Sequence, residues 1–153
     1  GHIDHVLGNY FAKNKFNVEL WIGEHDLQTL QSVKAYAPSY GFQKYSAVEA
    51  DHLLKEGDEI NVGAGTMKVL FTPGHAPGHI AFYNAKAGFI IGGDVLFQES
   101  IGRTDLPGGD FDTLMQSISR QFYTLPDETV VYPGHGAETT IGHEKKYNPF
   151  CRA

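Results

Sequence analysis

Three segments of this sequence run from a short apolar stretch through glycine into a side chain able to bind a metal ion. Val69-Leu70-Phe71 leads through Thr72-Pro73-Gly74 to His75, Phe89-Ile90-Ile91 through Gly92-Gly93 to Asp94, and Val130-Val131-Tyr132 through Pro133-Gly134 to His135. The end of a strand is a rigid mount, and glycine there lets the chain turn sharply enough to aim the next side chain into a shared cleft. The opening Gly1-His2-Ile3-Asp4-His5 adds His2, Asp4 and His5, giving six imidazole and carboxylate groups with the capacity to converge. Such a mixture suits zinc, iron or manganese better than calcium, which prefers an all-oxygen shell. Singly each group is ordinary, since Gly-Gly-Asp is a common turn and a histidine in a Pro-Gly loop is commonly solvated. Their joint occurrence carries the inference.

The elements that must position these groups follow from periodicity. Val6, Leu7, Tyr10 and Phe11 stand three and four apart and predict a short helix over 6–13. Val18 to Ile22 reads as a strand, Glu24 to Val33 as a second helix and Ala35 to Ser46 as loop. Glu59 to Val62, a Gly63-Ala64-Gly65 turn and Met67 to Phe71 predict a hairpin, with further strands at Ile80–Tyr83 and Gly88–Ile91. Asp110 is a good N-cap for a helix running to Phe122, whose apolar face is Phe111, Leu114, Met115, Ile118 and Phe122. Thr129 to Tyr132 is a last strand, and Thr139 to Tyr147 a last helix stopped by Asn148-Pro149. Strand-rich segments alternating with helices predict a layered α+β domain.

Composition narrows the partners. The 153 residues, 41% apolar and 20% charged, predict one globular domain over 1–153. A formal charge of −6 without a basic run argues against nucleic acid, and no stretch approaches the roughly 20 apolar residues that span a bilayer. The lone Cys151 excludes an internal disulfide and a thiolate zinc cluster and predicts a reducing, cytoplasmic setting. The chain opens at Gly1 rather than Met, so the natural N-terminus is expected upstream.

With these residues in view, His2-Ile3-Asp4-His5 resembles the end of the His-x-His-x-Asp-His signature of the metallo-β-lactamase-fold hydrolases. Thr72-Pro73-Gly74-His75-Ala76-Pro77-Gly78-His79 is similar to the second motif of that family, and Gly92-Gly93-Asp94 and Pro133-Gly134-His135-Gly136 to the remaining two, in the family's order. Gly102-Arg103-Thr104-Asp105-Leu106-Pro107-Gly108-Gly109 and Asn148-Pro149-Phe150 look most like the short glyoxalase II-like bacterial proteins. The resemblance implies an αββα sandwich, here incomplete at the N-terminus because the signature's first histidine would precede Gly1. It also implies two divalent ions, zinc foremost and iron or manganese as alternatives. One ion would use the absent histidine with His2, His75 and Asp94; the other would use Asp4, His5, His135 and the bridging Asp94.

The chemistry so implied is hydrolysis of a small thioester such as a hydroxyacylglutathione by attack of a metal-bound hydroxide, with Asp4 both ligating and orienting it. Arg103 and Asp105 are candidates for binding an anionic substrate group, or for an ion pair bracing their loop. His79 follows His75 by four, but the intervening prolines and glycines forbid a helix, so it is assigned a supporting role rather than ligation. His25, His52 and His143 fall in surface-like contexts, and Cys151 is too near the end to serve as nucleophile. Two other readings stay open: a mononuclear-iron persulfide dioxygenase of the same fold, and an inactive fragment whose exposed strand edges invite self-association.

Overall fold

Ile3 and Val6 lie one helical turn apart and are both buried, which anchors the short helix α1 (Ile3–Val6) against α3 (Leu27–Tyr36) through Leu30, Val33 and Ala37. The computed structural model describes residues 1–152. Its contacts divide the chain into two compact units, Gly1–Leu54 and a second beginning at Lys55.

In the first unit the predicted helix over 6–13 is instead two, α1 and α2 (Asn9–Phe16), interrupted at Leu7-Gly8. The expected face of Val6, Leu7, Tyr10 and Phe11 is correspondingly split: Val6 is buried, whereas Tyr10 and Phe11 are exposed and α2 buries none of its residues. Strand β1 is shorter than the sequence suggests, Trp21–Gly23, and pairs in parallel with a strand that periodicity missed, β2 (His52–Leu54). Lys13 Nζ binds the Asp51 carboxylate, which also accepts from Leu20 N (2.7 Å).

The second unit is built on a six-stranded sheet made of β3 (Glu59–Val62), β4 (Gly65–Phe71), β5 (Ile80–Asn84), β6 (Phe89–Gly93), β9 (Val130–Pro133) and β10 (Thr139–Thr140). β3 to β6 form an antiparallel meander, and β9 then joins β6 in parallel, so the carboxyl ends of β6 and β9 point the same way. β4, antiparallel to β5 and hence parallel to β6, also ends on that side. This topology is why three strand ends deliver three candidate ligands to one edge of one sheet.

Asp110 caps α4 (Phe111–Ser117) by accepting from Thr113 N (2.7 Å), and the helix continues as a π-helical turn over Ile118–Phe122. Leu114, Ile118 and Phe122 pack with Leu70, Ala81, Ile90 and Val131 into the core of this unit. Phe111, expected on that face, is instead exposed at the first position of the helix.

The small hairpin of β7 (Leu96–Phe97) and β8 (Ser100–Ile101) is held by α5 (Ile141–Tyr147), which starts later than the helix expected from Thr139 because Thr139–Thr140 is still extended as β10. Its anchor is Glu144, a fully buried carboxylate that accepts from Thr139 Oγ1 (2.5 Å), Glu99 N (2.9 Å) and Asn148 Nδ2 (2.8 Å). Truncation would remove the acceptor of three donors, two of them in buried bonds, so Glu144→Ala is expected to lower unfolding free energy by about 3 kcal/mol; urea titration followed by circular dichroism reads it.

Candidate metal centre

His75 and Asp94 are buried and His135 is exposed. Asp94 Oδ2 lies 3.4 Å from His75 Nε2 and 3.3 Å from His135 Nε2. Those separations exceed the 2.7–2.9 Å or so of a charge-assisted hydrogen bond. Two donors about 2.1 Å from one ion at a tetrahedral angle stand about 3.4 Å apart, which is the spacing found. Arg103 O accepts from His75 Nδ1 (2.8 Å), so in the neutral imidazole the Nε2 lone pair faces a carboxylate oxygen. Two electron-rich atoms held face to face call for a cation between them, and the imidazole–carboxylate donor set fits a divalent ion of the zinc or iron type.

The turn that delivers Asp94 depends on Gly93, at φ +54°, where a Cβ would lie 2.5 Å from His79 Nε2. Gly74, at φ +131°, carries His75 past α4 so closely that a Cβ would meet Leu114 N at 2.3 Å. Gly93→Ala combines a left-handed backbone with that collision, so a loss of at least ~2 kcal/mol in stability is expected; thermal melts of the two proteins test it.

In the first unit His2 occupies the N-cap of α1, and His5 N bonds back to His2 O (3.1 Å). With Ile3 and Val6 buried, the intervening Asp4 and His5 are the residues that project outward. Asp4 Oδ2 and His5 Nε2 stand 3.6 Å apart.

The other candidates are equally plain. Arg103 and Asp105 form an exposed bidentate ion pair, both contacts at 2.7 Å, and the guanidinium holds the Asp105 carboxyl down to about 2. Cys151 contacts the Tyr123 hydroxyl (3.1 Å), and burial pushes its thiol up, away from thiolate chemistry. His25, His52 and His143 sit beside Glu24, Glu19 and Glu99 respectively. Sequence reasoning missed the Arg103 carbonyl, a main-chain acceptor with no signature, and gave no role to Thr72, which bonds His79 at 2.8 Å beside the Asp94 turn.

Over residues 1–135 the sequence matches the family described as the Metallo-beta-lactamase superfamily. The chain belongs to this superfamily. It is 40% identical, over 100% of its own length and 73% of the relative's, to a Haemophilus influenzae protein named hydroxyacylglutathione hydrolase GloC. Among solved structures it is similar to the BLEG-1 B3 metallo-beta-lactamase, with TM-score 0.90 and 37% identity over 99% of this chain and 74% of that one. It is also similar to TTHA1623, solved in a di-iron-bound form, with TM-score 0.83 and 35% identity over 97% and 73%. The metallo-β-lactamase fold and a metal-dependent hydrolytic chemistry are therefore those of this chain, which spans a little under three quarters of these relatives.

Proposed function

We propose that this protein hydrolyses small thioesters of the hydroxyacylglutathione type with two divalent ions, zinc foremost. The observation that carries the reading is the facing arrangement of His75 Nε2, His135 Nε2 and Asp94 Oδ2 at 3.3–3.4 Å. Its substrate class is supported by the relative named hydroxyacylglutathione hydrolase, 40% identical across the full chain. Asp94 would help hold both ions; His75 and His2 would serve one, and His135, Asp4 and His5 the other. Divalent ions in such a shell supply Lewis acidity, which makes water a competent nucleophile near neutral pH and polarises an acyl oxygen.

The remaining work falls to the chain. Asp4 orients the attacking water, whose oxygen bonds to the acyl carbon while the carbon–sulfur bond breaks. The products are a carboxylate and a thiol: one proton of the water goes to the departing sulfur and the other is released to solvent. The Arg103 carbonyl keeps His75 in the tautomer that presents Nε2. No side-chain nucleophile is needed, in keeping with the high-lying Cys151 thiol. A cytoplasmic setting belongs to the same proposal.

The test is release of free thiol from a hydroxyacylglutathione under strictly anaerobic conditions, with dissolved oxygen followed in a parallel aerobic run on glutathione persulfide. Thiol release without oxygen consumption is expected. Oxygen uptake on the persulfide, with no thioester cleavage, would replace hydrolysis by dioxygenation.

A further inference from the structure

We infer that His79, which no ligand set uses, is a positioning residue that staples together the three strand ends carrying His75, Asp94 and His135; the inference rests on the metal-centre reading above.

His79 stands immediately before β5, the strand between β4 and β6, and its two ring nitrogens reach toward opposite neighbours. Asp94 N donates to Nε2 (3.0 Å), so Nε2 is the acceptor and Nδ1 carries the hydrogen. Nδ1 then donates to Thr72 Oγ1 (2.8 Å), and the Thr72 hydroxyl in turn points its hydrogen toward His79 O (3.4 Å). Thr72 N also donates to His79 O (2.9 Å), so main chain and side chain assign one consistent direction to every bond.

The reach of the staple is set by what adjoins it. Thr72 is fully buried and leads through Pro73-Gly74 to His75. Gly93, whose missing side chain makes room for the imidazole, accepts through its carbonyl from Gly134 N (2.9 Å), the residue before His135. Thr72, His79, Gly93-Asp94 and Gly134 thus form one hydrogen-bonded belt beneath the three candidate ligands. Fixing the belt fixes the 3.3–3.4 Å separations on which a shared ion depends, and supporting contacts of this kind commonly govern metal affinity.

The experiment compares wild type, His79→Leu, which removes both bonds, and His79→Gln, which keeps an acceptor for Asp94 N. Cobalt(II) is titrated as probe, reading both its affinity and its visible d–d spectrum, and the apo proteins are examined by ¹⁵N-histidine NMR. A hydrogen on Nδ1 of His79 is expected in the apo protein. His79→Leu is expected to weaken cobalt binding by about 10- to 100-fold and to alter the spectrum, with kcat falling more than KM rises; Gln should recover most of the loss. If His79→Leu does not fold, Thr72→Val, which removes the hydroxyl contacts to His79 and spares the Asp94 N bond, should show the same changes to a smaller degree. A folded Leu variant with wild-type affinity and spectrum, or a hydrogen found on Nε2, overturns the inference. Wild type that binds no cobalt overturns the metal-centre reading itself, a separate result.

Discussion

Asp94→Ala is expected to lower kcat/KM for a thioester by about 10³-fold or more while leaving the fold intact. Asp94 is the one carboxylate within 3.4 Å of both His75 Nε2 and His135 Nε2 among the contacts of the second unit. Without it two imidazoles remain, with no negative charge between them to balance a dication. Lewis-acid stabilisation is worth several kcal/mol, and about 4 kcal/mol corresponds to about 10³ in rate. The fold should survive because the sheet and its Leu70–Phe122 core do not depend on the Asp94 side chain. Metal content and thioester turnover, measured on the same preparation and checked by circular dichroism, give the answer.

Metal removal should act as strongly and, unlike the substitution, reversibly. Dialysis against a chelator is expected to reduce turnover by about 10²-fold or more, and stoichiometric zinc, iron or manganese should restore it to different extents. Because the ion binds the folded state, the apo protein should also melt lower, by the free energy that ligand linkage prescribes. Activity that persists with less than a tenth of an equivalent of metal would contradict the proposed chemistry.

That His75, Asp94 and His135 follow strand ends was legible in the sequence for a physical reason. Strands β4, β6 and β9 are apolar runs that glycine and proline stop abruptly, and such a stop is visible without knowing any neighbour. Elements that exist only through distant partners left no trace. β2 is three residues long and pairs with β1 across the intervening α3, and the β7–β8 hairpin offers two residues per strand, too few for alternation to register. The break between α1 and α2 was hidden because Val6, Leu7, Tyr10 and Phe11 keep helical spacing even though Gly8 lies among them. His79 shows the limit most clearly. Sequence excluded it from a helical ligand pair, but its bond to Asp94 N, fifteen residues away, is a product of sheet order.

The most direct test is anomalous diffraction from crystals of the metal-loaded protein, with data collected on both sides of the absorption edge of the bound metal. An anomalous peak is expected about 2.1 Å from His75 Nε2 or His135 Nε2 and from Asp94 Oδ2. A protein that is active yet shows no peak beside these atoms, or whose metal lies elsewhere in the chain, would contradict the proposed metal centre.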